Sequence, residues 1–121
     1  MKRMIYLLAD GSGIGKKIAA AILESEESAS IISNSINVAI AEISENVERI
    51  PGVYLIFAGG DDIYLKIEHP ILLPKVVDII KEYWKLNTGF KIDIAWGDAP
   101  QEALDELALL KNRRRWMGEQ P

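Results

Sequence analysis

The sequence predicts an α+β fold, an antiparallel sheet with helices packed on it. Three observations carry that expectation. Apolar segments of strand and helix period follow one another in the order β-α-β-β-α-β-α. The second and third strands are separated only by the turn GGDD, which makes them a hairpin. The length, 121 residues, suits one compact domain spanning 1–121. The simplest closed arrangement of this order is a ferredoxin-like sheet in which the first and third strands are antiparallel neighbours.

Each element follows from its pattern. MIYLLA (4–9) is apolar on both faces and reads as a central strand. After the turn GSGIG a helical region starts near Ile14, with Ile14, Ile18 and Ile22 at helical spacing. ESEESAS (24–30) interrupts it. A second stripe joins Ile32, Ile36, Ala39, Ile40, Ile43, Val47 and Ile50 until Pro51-Gly52 stops it. VYLIFA (53–58) is a strand whose two apolar faces call for extra cover, from a helix or a partner chain. IYLKI (63–67) turns Ile63, Leu65 and Ile67 to one side. A helix from about Pro74 to Leu86 carries Val76, Val77, Ile80, Tyr83 and Trp84, with Gly89 as its stop. FKIDIAW (90–96) alternates, with Phe90, Ile92, Ile94 and Trp96 inward, so Trp84 and Trp96 are both core candidates. A last helix from about Gln101 sets Leu104, Leu107, Ala108 and Leu110 inward and runs into an Arg cluster.

Composition narrows the function classes. Hydrophobic residues make up 49% and charged residues 26%, a globular balance rather than a disordered one. No apolar run has the length of a membrane span, so no direct membrane insertion is expected. The basic, briefly apolar start MKRMIYLLADGSG ends in an acidic, Gly-rich stretch and does not read as a signal peptide. With no cysteine, disulfides, thiolate metal sites and thiol catalysis are excluded, and a cytoplasmic location is expected. The lone His69, in a loop before Pro70, excludes any site built on two imidazoles. Net charge is −4, so no stable nucleic-acid partner is expected, although Lys111, Arg113, Arg114 and Arg115 cluster near the C-terminus.

The predicted topology brings Asp10 beside Asp61 and Asp62 at one edge of the sheet. Carboxylates so placed repel one another, and a divalent cation is the usual remedy. An all-oxygen donor set suits Mg2+ or Mn2+, and two ions can clamp the attacking and leaving oxygens of a phosphoryl transfer. Gly59 and Gly60 leave the hairpin backbone open to a phosphate. Gly11, Ser12, Gly13, Ile14 and Gly15 form the turn that opens the first helix, whose N–H groups suit an anion. A plain Gly-Asp hairpin turn is the competing reading of GGDD. A dinucleotide-binding reading of GSGIGKK fails, because G-x-G-x-x-G would need glycine where Lys16 stands. A P-loop fails as well, because it would need glycine at Asp10 and a hydroxyl at Lys17.

IYLLADGSGIGKKI followed by LIFAGGDDIYLKI resembles the minimal CRISPR polymerases. Those are Palm domains similar to the polymerase subunit of type III CRISPR complexes and, more distantly, to GGDEF diguanylate cyclases. The resemblance spans roughly residues 4 to 111. It implies a nucleotidyltransferase that makes a cyclic nucleotide signal from nucleoside triphosphates, with ATP favoured, in antiviral defence. Asp10 and Asp61 match the metal-binding aspartates, Asp62 the companion acid, and Gly11 lends a backbone carbonyl. Lys111 lies near the lysine that contacts the terminal phosphates in related cyclases, and Arg114 would assist it; a solvated helix end favoured by the dipole is the competing reading of this basic cluster. Ser33 and Asn37 either read a base edge or form a polar outer face. A cyclic dinucleotide implies a homodimer, and the product would act on a separate effector. The family reads Asp-Gly-Asp at the first turn, whereas this chain reads Asp10-Gly11-Ser12. That departure keeps open a catalytically degenerate Palm or a regulatory nucleotide-binding domain.

Overall fold

The structure is a computed structural model that describes residues 3–116, with side chains described through Arg113. Strands β1 (Ile5–Gly11), β2 (Val53–Gly59), β3 (Asp62–Ile67) and β4 (Ile92–Gly97) form one sheet in the order β2-β3-β1-β4. Every neighbouring pair is antiparallel. This is the ferredoxin-like order the sequence predicts, with β1 inside the sheet and β2 and β4 at its edges. Helices α1 (Ile14–Glu24), α2 (Glu26–Glu48) and α3 (Leu73–Thr88) are joined to α4 (Pro100–Trp116), which packs on β4 and β1.

The core lies between the sheet and the helices. Ile5, Leu7 and Ala9 of β1 and Ile63, Leu65 and Ile67 of β3 are all at most 3% exposed. They meet Ile36, Ala39, Ile43 and Val47 of α2 and Val76, Ile80 and Trp84 of α3. Each apolar side chain removed from water contributes about 1.5–3 kcal/mol, so this two-sided stripe pattern sets the layer order. Trp84 is fully buried and its indole N–H donates to the Lys91 carbonyl at 3.1 Å, which ties α3 to the approach to β4.

Several elements differ from the sequence-based expectation. The interruption between α1 and α2 is one residue, Ser25, whose side chain accepts from the Ser28 N–H at 2.9 Å and caps α2. Ile22 is 62% exposed, and Ala21 takes the buried position on α1. β4 starts at Ile92, later than expected, and Trp96 is 44% exposed because β4 is an edge strand. Among the described side chains of α4 the buried one is Ala103; Leu104 is 51% exposed and Ala108 is exposed too. Gly97 explains this, since its missing Cβ would stand 3.0 Å from the Ala103 nitrogen. The helix lies so close to β4 there that only a small side chain fits between them.

Candidate metal and nucleotide site

The site is built where β1 ends and the β2–β3 hairpin turns. Asp10, near the end of β1, pairs with Asp62 on β3 and with Asp93 on β4. Residues directly opposite in antiparallel strands project to the same face, so three carboxylates stand in a row across the sheet. Asp61 joins them from the two-residue hairpin loop. That loop depends on Gly60, whose φ of 57° lies in the left-handed region. The hairpin is fixed to β1 by the Gly11 N–H, which donates to the Asp61 carbonyl at 3.1 Å. Gly11 must be glycine there. A Cβ would stand 2.6 Å from Ile14 Cγ1 and 2.7 Å from Trp84 Cζ2.

Asp10, Asp61 and Asp62 each offer a carboxylate oxygen, and these oxygens lie within 4.8 Å of one another. The setting shows in the proton affinity of Asp61 and Asp62. Burial pushes the Asp61 carboxyl up to about 6, helped by the hydrogen bond its protonated form donates to the Asp10 carboxylate and by the charges of Asp10 and Asp62. Asp62 is raised by burial and by Asp10, and Lys111 opposes that rise. Lys111 reaches from α4 to the Asp10 carboxylate, whose side chain is 17% exposed. A cluster of oxygen donors held this close fits a hard divalent cation.

Next to the acids, α1 begins with a free N-terminus. Gly13 holds the left-handed φ of 63° as N-cap and supplies no side-chain hydrogen bond, and the first turn carries no acid. The N–H groups there are available to an anion. Ile14 sends its side chain into the core and so offers only backbone, while Gly15 is exposed with open space around it. Gly59, at the end of β2, pairs with Asp62. On the α4 side of the acids an apolar hollow of about 340 Å3 is lined by Leu8, Phe57, Tyr64, Leu104 and Leu107 with Asp10 and Asp62.

The structure thus brings together Asp10, Gly11, Asp61, Asp62 and Lys111. Ser33 and Asn37 lie exposed on α2, off the stripe that packs on the sheet. The Arg114 side chain lies outside the described residues. His69 is exposed beside Glu68. Asp93 escaped the sequence reading. It is 8% exposed, and the Ser12 hydroxyl, on a residue 7% exposed, donates to its Oδ2 at 3.2 Å. The signal was in FKIDIAW: alternation puts Asp93 opposite to Ile92 and Ile94, on the face Asp10 uses once β4 pairs with β1.

Residues 6–117 match the model of the mCpol family, the minimal CRISPR polymerase domain. The chain belongs to that family. Among solved structures, this minimal CRISPR polymerase domain is similar to the Csm1–Csm4 cassette in complex with cA4, at a TM-score of 0.69 and 13% identity. The same cassette in complex with pppApA gives 0.69 at 12%, and in complex with cA3 0.62 at 11%. Each alignment covers 97% of this chain and 20% of the other, so the chain spans about a fifth of the length of those relatives. At these identities the likeness bears on the fold. A comparison with curated proteins gave no match. Among the described residues no helix is long and apolar enough to cross a membrane.

Proposed function

We propose that this polymerase domain joins nucleoside triphosphates, ATP first among them, into a cyclic oligonucleotide signal. The observation that carries the reading is the meeting of Asp10, Asp61 and Asp62 within 4.8 Å, beside an open helix N-terminus. Divalent ions held there, Mg2+ or Mn2+, would activate a ribose hydroxyl and neutralise the departing pyrophosphate. The protein's own part is placement. Asp10, Asp61 and Asp62 provide the oxygen donors, with the Gly11 carbonyl beside them. The N–H groups from Gly13 to Gly15 bind phosphate oxygens, and Gly59 and Gly60 leave room for the chain of phosphates. Lys111 exchanges its Asp10 partner for a phosphate oxygen and holds it as charge builds. The apolar hollow accepts the nucleoside, with Tyr64 and Phe57 offering ring faces to the base. The family match and the cA4-, pppApA- and cA3-bound neighbours support the product class.

A ring closed from two nucleotides requires two triphosphates held face to face, which favours a homodimer. The exposed outer side of β2, with Tyr54, Ile56 and Phe57, is open to such a contact. The product would then act on a separate effector. The deciding experiment is incubation of the protein with each triphosphate and Mg2+ or Mn2+, followed by mass analysis. A cyclic product from one triphosphate, absent with Asp61→Ala, is the expected result. No product with any triphosphate and metal overturns the enzyme reading and leaves a nucleotide-binding Palm domain.

A further inference from the structure

Asp93 is a buried carboxylate to which that chemistry gives no part. Burying a carboxylate is costly unless hydrogen bonds hold its charge, so its surroundings carry information. The Ser12 hydroxyl donates to Asp93 Oδ2 at 3.2 Å, and the Ser12 N–H donates to the Lys91 carbonyl at 3.0 Å. The residue that follows Asp10-Gly11 is therefore tied to the β4 side by both main chain and side chain. On its other side the Gly11 N–H is tied to the Asp61 carbonyl. The passage from β1 to α1 is clamped between the hairpin and β4, and the Ser12–Asp93 bond is the buried side-chain part of that clamp.

We propose that Asp93 is a positioning residue for the acidic site. By accepting the Ser12 hydroxyl it fixes the β1–α1 turn. The Asp10 carboxylate, the Gly11 carbonyl and the first N–H groups of α1 then keep one arrangement. The proposal rests on the metal reading of Asp10, Asp61 and Asp62. It gives position 12 a chemical requirement, a donor without charge. Aspartate at 12 would press a second carboxylate against buried Asp93, and alanine would remove a donor from it. The pair is complementary and should tolerate exchange, with the carboxylate at 12 and the hydroxyl at 93.

The test is calorimetric titration with Mn2+ alone, joined to amide hydrogen exchange of residues 11–15 without metal. Asp93→Asn and Ser12→Asp should each weaken Mn2+ binding by about 10-fold to 100-fold, the usual effect of losing an outer-shell partner. Both should speed exchange at 11–15. The exchanged double variant, Ser12→Asp with Asp93→Ser, should regain most of both. Ser12→Ala removes the hydroxyl and leaves the charge alone, so it separates positioning from simple attraction between Asp93 and the ion. It should still loosen the turn and weaken Mn2+ binding. If Asp93→Asn does not fold, the Ser12→Ala result decides. Wild-type affinity and unchanged exchange in folded Ser12→Ala would overturn the proposal, and so would a double variant no better than the worse single one. Wild-type protein that ignores Mn2+ would sink the metal reading instead, and the exchange rates at 11–15 would then judge the Ser12–Asp93 clamp by themselves.

Discussion

Lys111 of α4 is paired with Asp10 of β1, two residues a hundred and one positions apart in the sequence. The ammonium lies against the Asp10 carboxylate. On the proposed metal reading it steadies Asp10 before an ion arrives and competes with the ion afterwards. Lys111→Met should therefore act in opposite directions. Mn2+ affinity without nucleotide should rise, since a fixed positive charge is gone. KM for the triphosphate should rise about tenfold, the lower end of what a hydrogen bond to a charged group contributes. Calorimetry and steady-state kinetics on the same preparation read the two effects.

Asp61→Asn should separate stability from activity. Burial, with the hydrogen bond to Asp10 and the charges of Asp10 and Asp62 behind it, pushes its carboxyl up to about 6, so the ionised group strains the metal-free fold. The amide removes that repulsion, and the melting temperature in EDTA should rise. On the proposed metal reading a direct ligand is lost, so product formation should fall by more than the roughly 100-fold that outer-shell changes reach. A variant that melts lower and keeps activity would contradict both expectations.

The same shift gives a pH dependence of known sign. The folded-state pKa of Asp61 lies above the ordinary 3.8, so the folded protein binds a proton more tightly than the unfolded chain. The handicap is complete above about pH 6 and fades as pH falls from there toward the ordinary carboxylate range. Metal-free protein should melt higher near about pH 5 than near about pH 7.5. Saturating Mg2+ should reverse the trend, because protons and metal compete for the same oxygens. Melting curves across pH, with EDTA and with Mg2+, would show the crossing.

Two glycines of the site should fail for different reasons. Gly11→Ala forces a methyl against Ile14 and Trp84, and overpacking of that kind costs about 1–3 kcal/mol. Gly60→Ala meets no atom within 4 Å but must hold a φ of 57°, which costs about 1–2 kcal/mol for a side-chain-bearing residue. In an Ile14→Ala background, which removes Cγ1, Gly11→Ala should cost less, whereas the cost of Gly60→Ala should be unchanged. Denaturant titration measures both.

The sheet and the meeting of the acids were legible because β1, β3 and the hairpin obey strict rules. Ile63, Leu65 and Ile67 announce their face by alternation, and GGDD leaves no length for any other connection. Ser25 hid the boundary between α1 and α2, since one capping residue inside an acidic run looks like a longer break. The seat of α4 was not legible, because its leucine stripe gives no notice that Gly97 brings β4 up against Ala103. Asp93 was missed for a related reason: a single acid in an apolar strand acquires meaning only when the strand's neighbour is known. The reach of Lys111 to Asp10 depends on where α4 crosses the sheet, a matter of packing rather than spacing.

The pairing of β1 with β3 sets Asp10 against Asp62 and Ala9 against Ile63 in the same ladder. Side chains alternate with a period of two, so a slip of one residue would turn Asp62 away from Asp10 and expose Ile63, Leu65 and Ile67 to water. Misregistered chains would thus lack the acidic cluster and fold poorly at once. The apolar residues of β3 act as proofreaders for a cluster on the other face of the sheet: a chain that buries them correctly has, by the same act, assembled its acids.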